Sequence, residues 1–145
     1  MGLWRNFEPG SVFYTICSKK TKVLCIEPSC DNLCGLSSSY EIPLFRKEKD
    51  AIKALPFWAS DVLDGEDEDI IVKVKISIAP KDTRVRYNIK DGCVWFSFLR
   101  NKKYLATNSD MLLKIYDNYR EIKYDYDTSD DFYDNKIVKV KLTVL

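Results

Sequence analysis

The strongest constraint in this chain is an alternating octapeptide that occurs twice. Ile71-Val72-Lys73-Val74-Lys75-Ile76-Ser77-Ile78 recurs as Ile137-Val138-Lys139-Val140-Lys141-Leu142-Thr143-Val144, with five residues identical and three conservative swaps. Apolar side chains at every second position fit a strand with one buried face and do not fit a helix. Each copy follows an acidic run. A weaker echo pairs Val12-Phe13-Tyr14-Thr15-Ile16 with Val94-Trp95-Phe96-Ser97-Phe98, and each of these leads to a lysine-rich tip, Lys19-Lys20 or Lys102-Lys103. Two echoes in the same order point to an internal duplication with repeat units 12–79 and 94–145. Half-buried strands draw on few residue types, so recurrence by composition is the competing explanation.

The rest of the chain reads as short strands between turn formers. Val12–Ser18 and Val23–Ile26 flank the polar tip at Lys19–Lys22, residues 27–39 read as a loop, and Tyr40–Phe45 reads as a strand. Arg84–Ile89, Cys93–Leu99, Tyr104–Thr107, Met111–Tyr116 and Tyr119–Tyr126 follow one another with Asp91-Gly92, Asn108-Ser109-Asp110 and Asp117-Asn118 between them. One helix is expected over 46–55, with Ala51, Ile52 and Leu55 on its buried face and Pro56 ending it. About ten strands and one short helix predict an all-β class: a single antiparallel barrel or sandwich domain over 1–145. A β-trefoil is the alternative, because Phe98–Leu105 followed by Met111–Ile115 is similar to one trefoil lobe.

Function is constrained mainly by exclusion. The chain has no histidine, which removes Ser-His and Cys-His nucleophile pairs and histidine metal ligation. Cys25, Cys30 and Cys34 are spaced more loosely than zinc ligands usually are, and the nearest fourth thiol, Cys17, points to the other face. The acidic runs lack the alternating ligands and central Gly of a calcium loop. No metal or cofactor is expected. Five cysteines with no glycosylation acceptor and no secretory leader fit free thiols and a cytoplasmic location. Formal net charge is +1, and the exposed aromatic candidates sit among aspartates that repel phosphate, so neither nucleic acid nor membrane is an expected partner.

The surface features that remain are two acidic-aromatic runs. Trp58 leads into Asp64, Glu66 and Asp67; Asp130 and Asp131 lead into Phe132 and Tyr133. Carboxylates steer a basic surface and aromatic rings anchor it. These eight residues are the expected partner-binding site of a non-enzymatic protein-binding module of inhibitor or adaptor type. A carbohydrate-binding trefoil-like lectin is the second reading, and a carboxylate-based enzyme the third.

Overall fold

In a computed structural model, residues 8–24, 27–28, 39–58, 68–100, 104–105, 113–128 and 135–145 are described. Both octapeptides are strands, and they pair with each other. Strand β4 (Asp69–Ala79) runs antiparallel to β8 (Asn135–Val144), with Ile76 directly opposite its counterpart Leu142. Flanking them are β1 (Val12–Ser18) on β4 and β5 (Cys93–Arg100) on β8. The weaker echo falls in the same register: Phe13 stands opposite Val74, and Trp95 stands opposite Val140. The four central strands are therefore paired symmetrically about the Ile76–Leu142 contact.

Four shorter strands complete the sheet: β2 (Glu27–Pro28), β3 (Ser39–Ile42), β6 (Tyr104–Leu105) and β7 (Leu113–Tyr116). The order is β1-β4-β8-β5-β7-β3-β2, all antiparallel, with β6 also on β5. The sheet curls into a half-barrel. Phe45, just past β3, bridges Tyr14 in β1 through two backbone hydrogen bonds, as Tyr116 in β7 pairs with Phe96 in β5. Buried hydroxyls tether the same places. Thr15 donates to the carbonyl of Pro43 at 2.8 Å, and Ser97 donates to the carbonyl of Lys114 at 2.8 Å. Inside the curve lies the main core, with Phe13, Val74, Ile76, Trp95, Val140 and Leu142 fully or nearly fully buried.

Two helices cover the outer face, one more than the sequence pattern suggests. The segment expected as a strand at Tyr119–Tyr126 is helix α2 (Tyr119–Thr128) in the structure. Its tyrosines give an apparent β composition, but the decisive spacing is helical. Ile122 and Tyr126 lie on one face and pack with Phe98, Tyr116 and Ile137. Asn118 caps it, its side-chain oxygen accepting from the Arg120 amide at 2.7 Å.

Helix α1 (Glu48–Trp58) packs on β1 and β4 and runs past Pro56 instead of ending before it. Proline there gives up the hydrogen bond to the Ile52 carbonyl, which costs least in a last turn facing solvent. Its inward stripe is Ala51 with half-buried Ala54 and Leu55, so Ile52, expected inside, faces out.

Arg84–Ile89, expected as a strand, makes only isolated bridges at Arg86 and Asn88 before a 3-10 turn at Ile89–Asp91. Asn88 prompts that turn by accepting from the Lys90 amide at 3.0 Å. The loop expected over 27–39 contributes β2 at its start and the first residue of β3 at its end. The trefoil-like stretch is described only in part, and the pairing laid out above repeats twice, not three times.

Candidate functional site

Helices α1 and α2 occupy matching positions. Each follows the residue that closes the curl (Phe45 or Tyr116), and each buries one residue completely, Ala51 or Ile122. Counting from those buried residues aligns Ile52 with Lys123, Pro56 with Asp127 and Phe57 with Thr128. The outward faces differ sharply in chemistry. On α2, Lys123 and Asp127 form an i,i+4 ion pair at 2.9 Å, and the Thr128 hydroxyl donates to the Tyr124 carbonyl. On α1, the same positions are apolar and face water: Ile52 is 56% exposed and Phe57 is 86% exposed. A large ring exposed at that level, on a helix that also exposes an aliphatic side chain, is the kind of apolar surface that marks an interaction site.

The residues expected at the binding site divide as follows. Trp58 is the last residue of α1, directly after Phe57; its side chain is not among those described. Asp64, Glu66, Asp67, Asp130, Asp131, Phe132 and Tyr133 lie outside the described residues. Their described borders are informative. The first acidic run enters β4 at Asp69 and the second enters β8 at Asn135, and antiparallel pairing puts those entry points at opposite ends of the β4–β8 pair. Several neighbouring carboxylates are already engaged. Glu68 accepts from Lys19 at 2.9 Å, and Asp125 accepts from the buried Tyr116 hydroxyl at 2.5 Å.

Three further constellations were not evident from sequence. Inside the curl, Trp95 meets Tyr87 edge-on at 4.4 Å between ring centres and Tyr40 at 6.0 Å. The Tyr87 hydroxyl donates to Asp117 at 2.8 Å. Burial first, then the charge and hydrogen bond of Asp117, raises the Tyr40 phenol above its ordinary value. Tyr87 is raised more strongly, again by burial and then by Asp117. Both phenols thus act as donors to a carboxylate, an arrangement suited to fixing β3 and β7 relative to the β5 edge.

On the outer face, Phe96, Tyr119, Ile137 and Lys139 line an open groove of about 410 Å³. The Lys139 ammonium donates to the carbonyls of Lys81 (2.5 Å) and Thr83 (2.6 Å) and lies 5.2 Å from the Phe96 ring centre. A second groove, lined by lysines, lies beside the β1 hairpin tip.

Among the described residues no group of three metal-ligating side chains converges, and no helix is long and apolar enough to cross a membrane. Cys17 and Cys93 are buried and face the inner core. Burial pushes the Cys93 thiol up to about 12, which suppresses its thiolate at neutral pH. Comparison with protein-family models, with curated proteins and with solved structures finds no match for this chain.

Proposed function

We propose that the chain is a duplicated three-strand–helix–strand unit that works as a protein-binding module, with the exposed face of α1 as its docking surface. The observation that carries this reading is the contrast at matched helix positions. One copy has Lys123, Asp127 and Thr128, as a solvated helix should. The other has Ile52, Pro56 and Phe57 turned to water. Leaving an aliphatic and an aromatic side chain in water forgoes roughly 1.5–3 kcal/mol for each that could be buried, which a partner surface would recover. Trp58 ends α1, and the carboxylates Asp64, Glu66 and Asp67 come later in the connecting sequence and are the proposed acidic part of the same contact. The partner is accordingly a protein with an apolar pocket bordered by basic residues. Asp130, Asp131, Phe132 and Tyr133 belong to the second copy and form a separate, secondary contact. Binding, not a reaction, is the activity, and the cytoplasm, where free thiols persist, is the compartment.

The test transplants α2's residues into α1. Ile52→Lys with Phe57→Thr should leave the fold and its melting temperature nearly unchanged. In affinity capture from host extract, a protein retained by the native chain should be lost with this variant and kept with Lys123→Ala. Equal retention by the native chain and the transplant would refute the α1 surface. Loss with Phe132→Ala/Tyr133→Ala alone would move the site to the second acidic run.

A further inference from the structure

The hairpin tip after β1 and the 3-10 turn at Ile89–Asp91 are far apart in sequence but joined by backbone contacts. Val23 bridges Asn88, and the Ile89 amide donates to the Lys22 carbonyl at 3.0 Å. This juncture fixes Lys20 and Lys22 beside Lys90, around an open groove of about 510 Å³. Its apolar lining is Ile89 of the turn together with Val72 of β4 and Val144 of β8, which lie at one end of the β4–β8 pair.

The polar groups around the groove share one property: what they have left to offer is donation. Asn88 spends its side-chain oxygen on the Lys90 amide, which leaves its amide N–H groups. Thr21 Oγ1 accepts from the Val23 amide at 3.4 Å, which leaves its O–H. The Lys22 carbonyl is taken by Ile89. No carboxylate is among the described lining residues, and among the described residues neither Lys22 nor Lys90 has an ion-pair partner. Lys22 sits in the left-handed backbone region at φ 64°, a conformation disfavoured for a side chain of this kind and maintained by the hydrogen bond at its carbonyl. Lys22 and Lys90 bring two ammonium groups without a described ion-pair partner to one groove, which raises the electrostatic energy of the free protein, and an acceptor-only dianion lowers it again.

We infer that this groove binds a small phosphomonoester whose organic part is apolar. The phosphate takes the lysine, amide and hydroxyl donors, and the organic part lies on Val72 and Val144. A carboxylate would satisfy fewer of these donors and less of the charge. The site is separate from the α1 surface and does not depend on it.

The test is an amide chemical-shift titration of the whole chain with phenyl phosphate, inorganic phosphate and benzyl alcohol. Phenyl phosphate should saturate below about 10 mM, with the largest shifts at Thr21, Lys22 and Asn88–Lys90, and should bind more tightly than either other probe. Lys22→Asn with Lys90→Gln should weaken it about ten-fold or more, with Asn chosen because it tolerates the left-handed backbone. Lys47→Gln with Lys49→Gln removes the same charge elsewhere and should weaken it less than about two-fold. Equal weakening by both pairs would overturn the site in favour of general charge attraction. So would shifts that never saturate, or that map elsewhere; the wild-type map decides this even if a variant misfolds. Phenyl phosphate binding no better than inorganic phosphate would overturn the apolar half of the inference.

Discussion

Residues 12–79 and 93–144 run through the same order of elements, three strands, a helix and a long strand, but they bury their helices differently. In the second, α2 closes over a real cluster: Phe98, Tyr116 and Ile122, with Phe96, Tyr126 and Ile137 packed around them. In the first, the sheet residues matching Phe98 and Ile137 are Ile16 and Ile71, again directly opposite each other, and the buried helix residue is only Ala51. The first helix therefore turns Ala51, with half-buried Ala54 and Leu55, towards the sheet and keeps Ile52 and Phe57 outside. What the difference teaches is that matched helix positions serve different ends: α2 contributes Ile122 and Tyr126 to a packed cluster, whereas α1 leaves Ile52 and Phe57 in solvent.

The largest expected effect sharpens that contrast. Ile122→Ala should cost about 2–4 kcal/mol, because it opens a cavity in a packed cluster. Ala51→Gly should cost about 1 kcal/mol, mostly backbone entropy. Chemical denaturation of both variants measures the difference, and equal losses would mean the two helices are equally integral. The tethering hydroxyls come next. Thr15→Val and Ser97→Ala each leave a buried carbonyl without its donor and should each cost about 1–3 kcal/mol, similar in the two halves because the two bonds correspond.

A pH dependence separates the halves in the other direction. Cys93 stands where the first half has Ser11, and its thiol is raised from 9.0 to about 12 by burial. A folded state that holds the proton more tightly is favoured while the thiol stays protonated. The contribution is complete below about pH 9 and is lost as pH rises towards about 12. Tyr40 and Tyr87, raised above 10.0, add to the same decline at higher pH. Stability measured by denaturant melts should fall from about pH 9 upward, and Cys93→Ala should flatten the first part of that fall. The smallest effect is expected at the Lys123–Asp127 pair. Both groups are about half exposed and screened by solvent, so Lys123→Ala should leave stability nearly unchanged.

Much of this architecture was legible in the sequence. The octapeptide echo located β4 and β8, and the weaker echo located β1 and β5 in the register they adopt. The same echoes also contained the information that was missed. If Tyr14 corresponds to Phe96, the helix after Phe45 has its counterpart after Tyr116, and the strand assignment at Tyr119–Tyr126 fails. Tyrosine content argued for a strand, and the Ile122–Tyr126 packing with the Asn118 cap prevailed over it. Pro56 was taken as a stop because a proline removes a helical donor, yet a last turn facing solvent tolerates that loss.

The proposed docking surface was half visible in the sequence. Trp58 was singled out there, whereas Phe57 and Ile52 emerged only once Ala51 was seen to be the residue turned inward. The lysine groove was invisible because a backbone contact between distant segments creates it. The Phe96–Tyr119 groove likewise depends on α2 being a helix.

The central claim is that the two helices occupy matching positions and that, of the two, it is α1 whose exposed face is the proposed docking surface. The most direct measurement is site-specific photocrosslinking in the host cell, with a photoreactive phenylalanine at position 57 or at position 124. Position 124 on α2 is normally a tyrosine that is 63% exposed, so it controls for accessibility. The account predicts a discrete protein adduct from position 57, abolished by Ile52→Lys, and none from position 124. Adducts from position 124 with none from position 57, or equal unspecific labelling from both, would contradict it.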